Sequence, residues 1–368
     1  MQEKINNMFG AFADCAVLFP LLILLGAKGL FSPTVLFASV GIAYILAGFY
    51  FRIPMPVQPL KSIAIAALTL GASSGEIRLS AAALGIFCLL LVLLKLDRWL
   101  EKIPLRTIHM VQVGLSALLF IQAWRTLSSV NGGIYALALA AAIFFVPRVR
   151  AIPLMGLAAL CGMAMAVLQT TLQPNDTVTV LQQSNAIRWN LVVGLVLPQI
   201  ALTFANSIVG TRTASQCYFP RNAERVTIKA LALSIGFGNL VMAAVGGLPF
   251  CHGSGGLTAH VRGGATKWWS NLVIGVFLLL LALTTLLQGR LILSVPVIVV
   301  SALLLVTGLH HLQLAEDTTK QWSGKIWLVL SFFLCLVTQN LLWVLLLAVF
   351  SEIWERSLQQ KMVWGGIR

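Results

Sequence analysis

Gln58, Lys61 and Ser62 are the first residues in this sequence whose types and spacing could do chemistry. They end a polar, proline-rich break in apolar sequence, Pro54-Met55-Pro56-Val57-Gln58-Pro59-Leu60-Lys61-Ser62. A second break reads Pro249-Phe250-Cys251-His252-Gly253-Ser254-Gly255-Gly256-Leu257-Thr258. The first offers an amide, a fixed positive charge and a hydroxyl. In the second, Gly253, Gly255 and Gly256 leave backbone amides uncovered, and Ser254 and Thr258 can cap or donate. Proline removes N–H donors and disfavours helix in the residue before it, so residues 54–58 are expected to be extended. Pro59 suits the first turn of a new short helix running to about Gly71. The N-terminus of a helix carries partial positive charge and unsatisfied donors. Two such tips facing one pocket suit a small anion. The structural alternatives are a kinked helix whose Lys61 reaches an interface, and a glycine-rich packing loop.

Three further groups could contribute. Of the eleven acids, only Asp14 lies deep in an apolar segment. Ionisable residues at membrane depth are functional candidates. Asp14 could pair with Lys61 or carry a proton. His252 could donate to a substrate, carry a coupling proton or serve structure. Gln199, Thr203 and Asn206 recur at i, i+4 and i+7, one polar stripe on a helix. That stripe could hold an oxyanion or bond neighbouring helices. His310 and His311 fall at a helix end and are expected at an interface. The six cysteines are scattered without a CxxC pair, so no disulfide framework, metal site or cofactor is expected.

The elements that must position these residues are apolar spans. The 368 residues are 59% hydrophobic and only 10% charged, against roughly 25% in soluble domains. Apolar segments fall at about 8–27, 33–51, 58–71, 79–96, 105–124, 132–147, 151–169, 189–209, 226–245, 254–263, 268–288, 291–309, 325–339 and 341–355. The third and tenth are short, and residues 325–354 could instead form one long helix. No basic region precedes an apolar core at the N-terminus, so no signal peptide is expected. The net charge of +14 first suggests nucleic acid, but the basic residues sit in short loops between spans. With the N-terminus inside, 18 of the 25 Lys and Arg fall in inside loops and 5 outside, with Arg52 and Lys61 at membrane depth. That bias favours both termini inside. The polar loop at 170–190 divides the chain. Residues 1–170 are expected to form a first repeat of about seven segments, 171–190 an extracytoplasmic linker, and 191–368 a second repeat. An odd number of crossings per half makes the halves inverted, each with one broken segment. The fold class is an all-α polytopic membrane protein with 7+7 inverted repeats.

The stretches PMPVQPLKS, PQIALTFANS and PFCHGSGGLTAHVRGGA resemble the signatures of the molybdate transporter family, which is related to the sulfate permeases. The resemblance runs through nearly the whole chain in segment order. It implies the fold shared by uracil and sulfate permeases: a core domain, a gate domain, and substrate between the first, third, eighth and tenth segments. Carried onto this sequence, the implied pocket uses Gln58, Lys61 and Ser62, then Cys251, His252, Gly253, Ser254, Gly255 and Gly256, with the stripe around Gln199. The resemblance also implies a homodimer whose cores move against their gates like elevators. Sulfate permeases usually carry a STAS domain and none is seen here, which fits the molybdate branch. Where the family often has Gly-Asp-Leu-Gly, this chain has Phe12-Ala13-Asp14-Cys15.

The expected function is secondary active transport of a tetrahedral oxyanion, molybdate first and sulfate second, not enzymatic catalysis. Proton coupling is a hypothesis carried by Asp14 and His252. A nucleobase permease of the same fold and an anion channel are the alternatives, and the former would place acids on the eighth or tenth segment. The expected location is a bacterial inner membrane, with a lipid bilayer and a small oxyanion as partners and no nucleic acid.

Overall fold

The computed structural model describes residues 2–95, 104–128, 134–135, 137–138, 140–141, 186–288, 297–313, 315–320 and 322–365. Most of the sixth expected segment, all of the seventh and most of the expected linker lie outside the described residues. The first half runs through α1 (Gln2–Gly10), α2 (Cys15–Ala27), α3 (Pro33–Phe51), β1 (Gln58–Pro59), α4 (Lys61–Leu70), α5 (Ser74–Leu93) and α6 (Leu105–Leu127). The second runs through α7 (Trp189–Leu202), a π-helical stretch (Thr203–Gly210), α8 (Thr211–Tyr218), α9 (Ile228–Val245), β2 (Phe250–Cys251), α10 (Ser254–Arg262), α11 (Ser270–Gln288), α12 (Val297–Gln313), α13 (Trp322–Thr338) and α14 (Leu341–Gly365). Among the described residues, six helices are long and apolar enough to cross a bilayer.

Two bundles form. In one, α3 packs on α11 and α5 on α9; in the other, α6 packs on α12, α13 and α14. Both pairs in the first bundle meet at glycines. A Cβ on Gly41 would sit 2.8 Å from the Gly275 carbonyl oxygen, and one on Gly85 would sit 2.8 Å from that of Gly236. Lipid supplies no hydrophobic force between helices, so such close backbone approach is a main source of association.

The ends of the elements explain themselves locally. Ser73 and Glu76 form a reciprocal capping box at the start of α5. Arg188 reinforces it with a 2.8 Å ion pair to Glu76 and a hydrogen bond to the Gly71 carbonyl. The two apolar segments at the C-terminal end are separate helices. Gln339, at φ 51°, and Asn340 break the chain, and Asn340 Oδ1 accepts from the Leu342 amide. The first apolar segment is not one helix either: turns interrupt it between Gly10 and Cys15. Asn7 Oδ1 holds α1 aside by accepting from the Thr266 and Lys267 amides, each at 2.8 Å.

Candidate functional site

Both sequence breaks become a short strand followed by a short helix. The strands pair antiparallel, Gln58 opposite Cys251 and Pro59 opposite Phe250, and the Leu60 amide donates to the Pro249 carbonyl at 3.0 Å. The pairing satisfies backbone that is not helical inside a membrane protein, which is tolerated only where protein or water takes up its polar groups. It also sets the starts of α4 and α10 side by side. The expectation of extended residues at 54–58 is met, but Pro59 belongs to the strand instead of the first helical turn, because the pairing with β2 keeps the chain extended until the helix starts at Lys61.

Single asparagines on apolar helices pin each break. Asn239 of α9 donates to the Phe250 carbonyl at 2.7 Å and accepts from the Phe250 amide at 2.9 Å. Asn271 of α11 donates to the Met55 carbonyl at 2.7 Å and to that of Tyr44 at 3.0 Å. Neither was singled out from sequence, although a lone amide in an apolar span was a usable signal.

The polar stripe of the eighth segment reaches both helix tips. Gln199 Oε1 accepts from the Ser62 amide at 3.0 Å and the Ile63 amide at 3.4 Å, and Gln199 Nε2 donates to Thr203 Oγ1 at 3.1 Å. Two turns on, Asn206 Oδ1 accepts from Ser254 Oγ at 2.6 Å. The stripe therefore bridges the start of α4 to the start of α10. Its second half lies in the π-helical stretch, where Thr211 Oγ1 bonds the Asn206 carbonyl at 3.1 Å. Such widened turns are frequent at functional sites.

The two tips are not equivalent. The amides of Ser62 and Ile63 are already taken by Gln199, so α4 does not present the bare donors that its sequence implied. The N-cap residue of α10 is Gly253, which has no side chain with which to cap the first turn. The donors of Ser254, Gly255 and Gly256 therefore define the amide-rich pole of the site. Glycine is needed there for space as well: a Cβ on Gly253 would overlap Gln58 Oε1, and one on Gly256 would come 2.6 Å from Gln58 Nε2 and 2.9 Å from Asp14 Oδ2.

Lys61 is buried at the first position of α4, and among the described residues no acid lies within ion-pair distance of it. Asp14 stands in the turn before α2, not inside a helix, and its Oδ1 accepts from Gln58 Nε2 at 2.5 Å. The Asp14–Lys61 ion pair considered from sequence is absent, because Gln58 reaches the carboxylate first. Three buried atoms at this point have no hydrogen-bond partner: Asp14 Oδ2, Gln58 Oε1 and Ser62 Oγ. Buried polar atoms without partners call for an explanation such as a ligand or ion.

His252 is placed differently from the other motif residues. Its Nδ1 donates to the Pro56 carbonyl at 2.8 Å, its Nε2 meets Ser234 Oγ at 2.8 Å, and Thr211 Oγ1 donates to its carbonyl. The ring is fully buried against Phe51 and Phe250. With both nitrogens occupied it ties the two breaks together. Cys251 is buried on β2 beside Ser207 and Lys61. His310 is exposed, but His311 is buried, so only the first sits as expected for an interface.

A chain of apolar spans, two strand-broken half-helices and a polar niche at their tips defines a multi-pass membrane transporter. The transmembrane domain of the cyanobacterial bicarbonate transporter BicA superposes with a TM-score of 0.64 at 14% identity, covering 94% of this chain and 97% of that one. SLC26A9 superposes at 0.60 and 14% identity, covering 94% of this chain and 65% of that one. These give the fold: 7+7 inverted repeats with core and gate domains. The family described as "Molybdate transporter of MFS superfamily" matches residues 6–119 and 192–310. The chain belongs to this molybdate transporter family. Molybdate transporter 1 of Arabidopsis thaliana is 25% identical over 386 aligned positions, 89% of this chain and 83% of that protein. Molybdate transporter 2 of the same plant is 28% identical over 137 residues, but that match spans only 28% of its length.

Proposed function

We propose that this protein is a secondary active transporter of a tetrahedral oxyanion, with molybdate the first substrate and sulfate the second. One observation carries the reading: the uncapped tip of α10 lies against Gln58, and the strand pairing sets it beside the start of α4, where the Ser62 hydroxyl is unpartnered and Lys61 has no acid within ion-pair distance among the described residues. A helix N-terminus acts as about half a positive charge, and with Lys61 it offsets most of a divalent anion. The unpartnered Ser62 hydroxyl can donate to the anion, alongside the first-turn amides of α10. Cys251, Gly253, Ser254, Gly255 and Gly256 shape that pole, while Gln199, Thr203 and Asn206 hold the two tips in register. The family membership supports molybdate. The absence of acids on the eighth and tenth segments argues against a nucleobase.

The proposal extends to mechanism and setting. Asn239 of α9 and Asn271 of α11 hold the two breaks, and in this mechanism the bundle of α3, α5, α9 and α11 would carry them and the anion past the bundle of α6, α12, α13 and α14. Residues 1–170 and 191–368 form the two repeats, joined by an extracytoplasmic linker at 171–190. Both termini face the cytoplasm of a bacterial inner membrane, as the basic-loop bias favours, and the protein works as a homodimer. Proton coupling rests on Asp14. An ionised carboxylate beside the α10 tip opposes a second anion there, whereas a protonated one does not, so substrate and proton bind together. His252, with both nitrogens occupied, has the structural share.

Thermal-shift or calorimetric titration with molybdate, tungstate, sulfate, phosphate and uracil tests the reading. Stabilisation by molybdate or sulfate is expected, and a response to uracil alone would overturn it. Counterflow in proteoliposomes separates carrier from channel, since a channel gives no trans-stimulation.

A further inference from the structure

His260 is the most conspicuous polar group that this function leaves unused. It lies in the last turn of α10, is fully buried, and neither ring nitrogen has a hydrogen-bond partner. A buried imidazole without any partner is costly and seldom kept for packing alone.

Its position connects it to the site. Gly256 and His260 are four residues apart and share one face of α10. At Gly256 that face meets Asp14 Oδ2, one of the unpartnered buried atoms of the site. At His260 it meets Tyr44 of α3, with ring centroids 6.3 Å apart and planes inclined by 26°. Tyr44 is itself buried, and its hydroxyl lies beside Asp14 and the Val57 amide. Asp14, Tyr44 and His260 thus form a buried polar line. It leads from the substrate tip of α10 to the opposite end of that helix, through otherwise apolar packing.

We infer that Asp14, Tyr44 and His260 form the route by which the coupling proton enters and leaves the substrate site. In this route the Asp14 carboxyl gives its proton to the Tyr44 hydroxyl oxygen, which passes its own proton on. The two rings are stacked with no direct hydrogen bond between them, so one nitrogen of His260 takes that proton through a bridging water, while the other releases one toward the C-terminal end of α10. Every group ends with the charge it had, except Asp14, which is left ionised. Asp14 is faced by Gln58 from β1, Lys61 from α4, Tyr44 from α3 and Cys251 from β2, with Cys15 next to it in sequence. His260 is faced by Tyr44. No charged group on α1, on α8 or on the π-helical stretch, which also pack against α10, reaches it among the described residues.

This inference rests on the proposed oxyanion transport, and the test separates the two. The full-length protein in proteoliposomes is assayed with radiolabelled molybdate in two modes: accumulation driven by an imposed pH gradient, and counterflow without a gradient. H260F keeps the ring packing but has no nitrogen, and Y44F removes only the hydroxyl. Each is expected to lose gradient-driven accumulation by at least about tenfold, the lower edge of what a positioned proton carrier contributes, while counterflow stays within about twofold of wild type. H260Q, which can still hydrogen-bond but cannot carry a proton, should behave like H260F. Accumulation retained in H260F and Y44F would overturn the relay. So would wild-type accumulation insensitive to the gradient, although molybdate counterflow would then leave the transport reading standing. Absence of counterflow with both molybdate and sulfate would overturn both.

Discussion

Lys61 and Gly253 are the residues on which the anion site depends most directly. Lys61 is buried with no acid within ion-pair distance among the described residues, a costly arrangement for a charged amine unless an anion arrives. Its replacement by methionine should weaken molybdate binding about 10- to 100-fold, in line with roughly 1.5–3 kcal/mol for a charged hydrogen bond, with little change in folded yield. Isothermal titration checks this, and unchanged affinity would remove Lys61 from the site. Gly253→Ala places a Cβ where Gln58 Oε1 now lies. It should push Gln58 off Asp14 and abolish binding, while thermal stability falls by no more than about 1–3 kcal/mol. At this scale much was legible in the sequence, because Gln58, Lys61, Ser62 and the glycines interrupt apolar spans where polar groups are conspicuous. The role of Gln199 was only half legible: its stripe was visible, but its use as a cap for α4 depends on which helix it faces.

At the scale of elements, the half-helices work because their strands are held. Asn239 satisfies both backbone groups of Phe250. Asn239→Leu should strip both partners from a buried strand and cost about 1–3 kcal/mol for each group left unsatisfied. Thermal unfolding in detergent would register this as a lower midpoint, together with loss of molybdate stabilisation. The helix pairs are equally exacting: Gly85→Val forces a side chain against the Gly236 carbonyl and should reduce stability by about 1–3 kcal/mol. The separate identity of α13 and α14 was an open question in the sequence, since apolar content there is continuous. The positive φ at Gln339 and the Asn340 side chain settle it.

At the scale of the molecule, two bundles meet around the site, and Arg125 joins them. From the end of α6 its guanidinium donates to the Thr69 carbonyl on α4 at 3.1 Å and to Gln339 between α13 and α14 at 2.6 Å. Exposed contacts of this kind contribute up to about 1 kcal/mol. Arg125→Ala should therefore change the rate of molybdate counterflow by no more than about fivefold and leave the equilibrium affinity unchanged. An affinity change equal to the rate change would show that the contact shapes the pocket instead of joining the bundles.

The sequence by itself determined a polytopic helical protein, the position of nearly every described span, the two breaks and the polar groups they carry. Hydrophobic length and basic-loop bias are local, additive properties of a chain in a bilayer, so they can be read along it. The tertiary structure alone decided how those polar groups are shared. It gave Asp14 to Gln58 and not to Lys61, turned His252 into a tie between the breaks, capped α4 with Gln199 and left α10 open. Each outcome is a competition between partners 40 or more residues apart in sequence, and only the packing of α2, α4, α7 and α10 sets the distances that settle it.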